Sequence, residues 1–387
     1  MPDKSPQPSA LFNVTVVEDC VALTQILKRI DSSNVTLSAT PDAGESGIVD
    51  YISAWLQHRG IEQHRIETVP RGHLLGTGGG KSLMINTHID TVSLNSYEFE
   101  SLFGHTMEKD GSLVIFGRGA LDMKSGLAAE MADVAAIKKN QVTPLHGDVI
   151  LAAVSDEEDA SYRCRLTRKR GYHSRTTNRV LITAHKGFVW VEVDILGTAA
   201  HGSDPASGVD AILRPGWVLT ALEEYQRRLP IDEFIGPSSL HCSLINGGEE
   251  PSSYPAKCTV TTKVRKIHVQ ADDSILRDIS FLLHEIATSK PTFRIEKPRI
   301  TLSRPSQKLP FDHPFVVEAA HNVYGSYQSM RSMAIWCDAV LLGAVGIPTL
   351  VPGPAGQGLH AKEEWVDVKS IRETASNLVQ LIADFCI

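Results

Sequence analysis

The chain has 387 residues, 42% of them hydrophobic and 21% charged, and a formal net charge of -7. That length accommodates two domains with full cores, and the acidic balance argues against general nucleic-acid binding. No apolar run approaches the ~18 residues of a membrane span, and the polar, proline-bearing stretch from Met1 to Ser9 lacks the apolar centre of a secretory signal. The six cysteines (Cys20, Cys164, Cys242, Cys258, Cys337 and Cys386) include no C-x-x-C pair. That pattern disfavours a zinc knuckle or redox motif and fits a reducing compartment. The expectation is a cytoplasmic protein that engages neither membrane nor nucleic acid.

Residues 1–10 read as a disordered leader. Val17, Val21, Leu23, Leu27 and Ile30 give Val16 to Ile30 the stripe of an amphipathic helix. Ile48, Tyr51, Ile52, Trp55 and Leu56 do the same for Gly47 to Arg59, and Gly60 stops the helix. The Gly76 to Gly80 loop is not a phosphate loop, because no G-K-[ST] follows the Walker spacing and no helix follows the glycines. Ser82 to Asn86 reads as a strand running into Thr87-His88-Ile89-Asp90, and Ser125 to Lys139 is an alanine-rich helix. Val149 to Val154 is a buried strand that ends in Ser155-Asp156-Glu157-Glu158-Asp159. This helix–strand alternation predicts an α/β catalytic domain with a mostly parallel sheet flanked by helices.

From Gly187 the pattern changes. Gly187 to Gly197 alternates like a strand with one wet face. Gly208 to Arg228 reads as a helix with Pro215 as a kink, Leu240 to Ile245 and Cys258 to Val269 as strands, and Asp272 to Thr288 as a helix. The block 186–294 is predicted to be an inserted α+β domain, between catalytic segments 11–185 and 295–387. The return leg carries a helix at Phe315 to Tyr324, a strand at Ile347 to Val351 and a helix at Val368 to Phe385.

Ligands gather at the carboxyl ends of strands in open α/β sheets. His88 and Asp90 flank Ile89 and share one strand face. Asp122 stands just before the alanine-rich helix, where a bare N-cap is the ordinary role. Glu157 and Glu158 follow a third strand end, and the glycine-rich loop from Gly353 ends in His360. Carboxylates crowded at one strand end repel one another unless a cation joins them. Imidazoles and carboxylates at several strand mouths are the inventory of a two-metal hydrolytic site. Asp338 reads as either a site residue or a helix cap, and Arg265 as either a carboxylate grip or a solvated strand residue.

Seven motifs then stand in order: Thr87-His88-Ile89-Asp90-Thr91-Val92, Gly117-Arg118-Gly119-x-x-Asp122-Met123-Lys124, Asp156-Glu157-Glu158, His185-Lys186-Gly187, Ala199-Ala200-His201-Gly202-Ser203, Trp336-Cys337-Asp338 and Gly353 to His360. In this order the chain resembles the M20 metallopeptidases over about residues 11–387, a group that includes acetylornithine deacetylase, succinyl-diaminopimelate desuccinylase, aminoacylase and glutamate carboxypeptidase. The resemblance implies two zinc ions per subunit (cobalt suits the same ligands), a lid made by the inserted domain, and a homodimer formed through that lid. It implies His88 and Glu158 as ligands of separate metals, Asp122 as the bridge and His360 as a ligand on the other side. Asp90 would orient His88, Glu157 would be the general base toward a metal-activated water, and His201 would stabilise the oxyanion. The implied reaction is hydrolysis of the amide of a small N-acyl amino acid, acetylornithine deacetylase-like. An M20 exopeptidase or dipeptidase is the alternative enzyme, and a binding-only homologue the alternative of another class.

The chain departs from the pattern at one place. The family expects a further carboxylate shortly before His-Lys-Gly, where this sequence has Arg175. Arg163, Arg165, Arg168, Lys169, Arg170, Arg175 and Arg179 crowd the segment, and no acid occurs between Asp159 and Glu192. Three accounts stand open: a splice or reading-frame alteration, a divergence to a one-metal or inactive protein, or replacement of the ligand by Asp156 or Asp159.

Overall fold

The computed structural model describes residues 19–38, 44–66, 69–74, 78–94, 106–139, 145–159, 170–173, 177–322 and 330–386. The expected leader and Arg175 lie outside the described residues. The chain forms two compact units, Met1–Thr183 with Leu309–Arg331 and Cys337–Ile387, and Ala184–Lys308 with Ser332–Trp336.

The first leg of the first unit carries α1 (Cys20–Lys28), α2 (Ser46–His58), β1 (Glu62–Ile66), β2 (Val69–Leu74), β3 (Leu83–His88), β4 (Thr106–Lys109), β5 (Ser112–Phe116), α3 (Ser125–Lys139), β6 (Val149–Val154) and β7 (Arg170–His173). The second unit carries β8 (Phe188–Leu196), α4 (Pro215–Gln226), β9 (Ser239–Gly247), β10 (Lys257–Arg265), α5 (Asp272–Ser289) and β11 (Arg299–Arg304). The return leg adds α6 (Pro314–Asn322), α7 (Ala339–Ala344), β12 (Thr349–Leu350), β13 (Gly356–Gln357), β14 (Trp365–Asp367) and α8 (Val368–Cys386).

The main sheet of the first unit has six strands in the order β1-β2-β6-β3-β7-β12. It is parallel from β6 through β12, while β1 and β2 form an antiparallel edge. That edge escaped the sequence reading because Glu62-Gln63-His64-Arg65-Ile66 lacks the apolar run of a buried strand. A second sheet, β13-β14-β5-β4, was also unread, its strands being short. Every residue of β3 and β6 is buried, as expected for a sheet covered on both faces. Helix α3 is buried from Ser125 to Ala135 because its alanines let α1 and α8 approach closely. α8 contributes Ile371, Leu378, Leu381, Ile382 and Phe385 to the same core, each worth ~1.5–3 kcal/mol of burial. Asp19 caps α1, its Oδ1 accepting from the N–H groups of Val21 and Ala22 at 2.9 Å.

In the second unit Val189, Val191, Val193 and Ile195 of β8 point to one face and pack with α4 and α5. β8 sits between β10 and β11, and β9 is the outer strand beyond β10. Pairing of β11 with β8 carries this unit to Lys308, beyond the sequence-based limit at 294. Pro215 starts α4 rather than kinking a longer helix, since the first helical position needs no N–H donor and suits proline's fixed φ.

Candidate metal centre

Parallel pairing of β3 with β6 sets His88 beside Val154, so the segments after both strands emerge at one end of the sheet. His88 is fully buried. Its Nδ1 lies 3.0 Å from the carbonyl oxygen of Asp90, which can only accept, so Nδ1 donates and Nε2 faces inward. Nε2 lies 3.1 Å from Asp122 Oδ1 and 3.9 Å from Glu157 Oε2. The sequence reading gave Asp90 the single task of orienting His88. Its backbone oxygen does that with its carboxylate, whose Oδ1 lies 3.4 Å from the same Nδ1, and the carboxylate also holds the acidic turn: Oδ1 accepts from the Glu157 N–H at 3.1 Å and Oδ2 from the Glu158 N–H at 3.0 Å. Asn34 Nδ2 also donates to Asp90 Oδ2, at 3.0 Å. Nothing in the sequence pattern marks Asn34.

Asp122 sits in the turn Ala120–Lys124 that leads into α3, at a non-helical φ of -114 and ψ of 88, and its peptide bond to Met123 is cis. Its carboxylate faces two imidazoles, with Oδ1 toward His88 and Oδ2 3.6 Å from His360 Nε2. His360 Nε2 lies 3.0 Å from Glu158 Oε2. The loop before β14 delivers His360 at φ 58, a conformation few L-residues adopt. Gly358 allows the tight turn beneath it: at φ +91, an added Cβ would stand 1.7 Å from the Glu363 carbonyl oxygen.

Two donor groups result, His88–Glu157–Glu158 and Asp122–Glu158–His360, and within each the ligand atoms lie within 4.8 Å of one another. Imidazole nitrogens and carboxylate oxygens at this spacing fit a divalent transition metal such as zinc. The electrostatics fit too. Burial, with Asp122 next, pushes the Glu158 carboxyl up to about 7. Hydrogen bonds to Asp122 and Glu158 raise His360 to about 10. Burial opposes a charge on His88, yet the carboxylates of Glu157, Asp122 and Asp90 outweigh it and hold its pKa well above the ordinary imidazole value. These protons stand where cations would neutralise the same carboxylates.

Asp156 and Asp159 turn elsewhere: Asp156 Oδ1 accepts from Asn34 Nδ2 at 3.3 Å and Asp159 Oδ2 from Thr36 Oγ1 at 2.9 Å. Neither belongs to a donor group among the described residues. Asp338 is buried at the N-terminus of α7, makes no capping hydrogen bond and joins neither group. His201 and Arg265 belong to the second unit. His201 is exposed, and its Nδ1 accepts from the Ser203 N–H at 3.2 Å, which places the neutral ring's proton on Nε2. The Arg265 guanidinium lies 5.6 Å from the Phe188 ring centre, beside Lys263, whose Nζ is 4.5 Å from the same ring.

Known proteins resemble this chain over most of its length. The sequence model of peptidase family M20/M25/M40 matches residues 84–384. Acetylornithine deacetylase of Proteus mirabilis is 28% identical over 371 residues, covering 90% of this chain and 92% of that one. The enzyme of the same name from Buchnera aphidicola is 27% identical over 334 residues, covering 81% and 83%. Among solved structures, a tripeptidase from Staphylococcus aureus superposes with a TM-score of 0.74 at 20% identity, covering 95% of this chain and 98% of that one. A dinuclear metal-binding peptidase of the M20 family from Bacillus subtilis gives 0.69 at 14% identity, covering 94% and 96%. These two share the fold. No helix among the described residues is long and apolar enough to cross a membrane. The chain belongs to peptidase family M20/M25/M40, hydrolases of amide and peptide bonds.

Proposed function

We propose that this protein hydrolyses the amide bond of a small N-acyl amino acid, in the manner of its acetylornithine deacetylase relatives. One observation carries the reading: Asp122 and Glu158 lie between His88 and His360, with donor atoms close enough to share cations. Zinc, when bound, supplies Lewis acidity toward an amide oxygen and makes water a better nucleophile near neutral pH. Asp122, with two oxygens aimed at different imidazoles, is suited to bridge two ions. His88, Glu158 and His360 would hold them. Glu157 accepts the proton of the attacking water and returns it to the departing amine. Asp90 fixes Glu157 through its backbone N–H, so the base keeps its place as its charge changes.

The two positions differ in strength. Asp122, Glu158 and His360 give one ion three protein ligands, the usual number for a catalytic zinc. The absence of any acid between Asp159 and Glu192 leaves the His88 position short of its family carboxylate, so it binds its ion more weakly. The proposal retains His201 as oxyanion donor, which its Nε2 proton suits, and Arg265 as the grip for a substrate carboxylate. It also retains a cytoplasmic location, and a homodimer through the second unit. Strand β9 supports the dimer, as an outer strand with Leu244 and Ile245 more than half exposed.

A hydrolysis panel of N-acetyl amino acids and dipeptides, with zinc or cobalt added, tests the reading. Turnover of N-acetyl amino acids ahead of dipeptides is expected. Preference for dipeptides would replace the deacetylase reading with a dipeptidase, and a metal-loaded, folded protein with no turnover would leave a binding-only homologue.

A further inference from the structure

Glu364 took no part in the sequence reading, yet it ties the loop that carries His360 to the turn that carries Asp122. It lies just before β14, which pairs with β5 through Trp365–Phe116, Val366–Ile115 and Asp367–Val114. Its Oε1 accepts from the backbone N–H groups of Leu121 at 2.9 Å and Asp122 at 3.0 Å. Its Oε2 accepts from Arg118 Nη1 at 2.9 Å, and its backbone oxygen from the Gly117 N–H at 2.9 Å. Arg118 Nη2 in turn donates to the carbonyl of Ala361, the residue after His360, at 2.9 Å. Both side chains are 1% exposed.

We infer that Arg118 and Glu364 form a clamp that positions Asp122 against His360, and that Glu364 is a positioning residue for metal capture at the Asp122–Glu158–His360 position. The inference rests on the reading of those three residues as metal ligands. Its physical basis is that the turn bearing Asp122 and the loop bearing His360 come from distant parts of the chain. Without the clamp, each must be ordered by the ion itself, at the expense of affinity. A carboxylate is required, because both sides of the Glu364 head meet donors: two N–H groups on one oxygen, a guanidinium on the other. Glutamine has the same shape but must turn its NH2 group toward one set of donors. Burying a carboxylate here is tolerable only with such partners, and Arg118 supplies a forked, charged one.

The test is equilibrium dialysis of zinc into the chelator-stripped full chain, alongside circular dichroism and the zinc dependence of kcat and KM. Wild type and His360→Ala frame the measurement: wild type takes up zinc and His360→Ala loses the tight site. Glu364→Gln is expected to keep the native circular dichroism spectrum and to bind the tight zinc ~10–100-fold more weakly. Its kcat should recover as zinc is raised, with KM for substrate little changed. A folded Glu364→Gln with a lower melting temperature but unchanged zinc affinity makes the pair purely structural and overturns the inference, while leaving the proposed function intact. Failure of wild type to take up zinc overturns both. If Glu364→Gln does not fold, Arg118→Lys decides: it keeps the charge but cannot reach Glu364 and Ala361 together. Weaker zinc binding by up to ~10-fold supports the clamp, and unchanged binding overturns it.

Discussion

Each unit holds a group of acids with little solvent around it, and the two groups are neutralised in opposite ways. In the second unit Asp194, 2% exposed, meets Arg299 Nη1 at 2.6 Å, Lys257 Nζ at 2.9 Å and the Thr259 hydroxyl at 2.7 Å, and Arg299 also pairs with Glu192. Burial works against its charge, but Arg299, Thr259 and Lys257 prevail and hold its carboxyl well below the usual range. In the first unit Asp122 and Glu158 face imidazoles, which become cations only by taking up protons, and there the Glu158 pKa rises. Permanent cations make a structural ion cluster self-sufficient. A cluster that must gather protons to balance its charge is one an external dication can claim.

The largest expected effect separates chemistry from charge balance. Glu157→Gln keeps the hydrogen bond from its backbone N–H to Asp90 but removes the proton acceptor. Its kcat on the best N-acetyl amino acid should fall by ~10²–10⁴-fold, with zinc uptake largely retained. A loss below tenfold would take the base away from Glu157. The next effect bears on the asymmetry of the two positions. Arg175→Glu restores a carboxylate at the place the family pattern expects one, and should strengthen the weaker zinc site by ~10-fold or more. Two tight zinc ions in the wild-type chain would break the asymmetry outright, and metal analysis reads this directly.

Much of the first cluster was legible because its chemistry is written as residue types at strand ends. The H-x-D spacing at His88 and Asp90 works through the alternation of a strand, and the Glu157–Glu158 pair stands immediately past an unbroken apolar run. The supports were not legible. Asn34 and Glu364 act through contacts across long separations in sequence, and no local periodicity reports those. Asp90 was read as a partner of one histidine, because spacing tells which face a side chain takes but not which backbone N–H groups meet it. Strands β1 and β2 were missed since a polar sheet edge carries no apolar run. Pro215 was misread because proline breaks a helix interior but starts a helix well, and the sequence does not say which.

A third expectation follows from the protons of the first cluster. Zinc entering must displace protons from Glu158, near 7, and His360, near 10. Both values are raised over the ordinary ones, so in the metal-free protein each group's stabilising contribution is complete below its ordinary value and is lost as pH rises through the raised one. Between about pH 6 and about pH 8, apparent zinc affinity should therefore rise by up to tenfold per pH unit for each proton displaced. Zinc should also raise the melting temperature more at the higher pH. Isothermal titration in buffers of different ionisation enthalpy counts those protons. A flat profile would mean that the carboxylates are already balanced.

The smallest effect belongs to the second cluster, and its sign is reversed. Asp194 has a depressed pKa, so its contribution to stability is present above the ordinary carboxylate value of 3.8 and is lost as pH falls below it. Asp194→Asn removes that contribution and leaves Arg299 to pair with Glu192 alone. The variant should melt a few degrees below wild type at about pH 7. The gap should shrink by about pH 3, where the carboxyl of the unfolded chain takes up its proton while the folded one still holds its charge. Zinc uptake should be unaffected, because Asp194 belongs to neither donor group. A gap that widens with acid would show that the cations around Asp194 do not hold its charge, and the contrast between the two clusters would fail at its structural end.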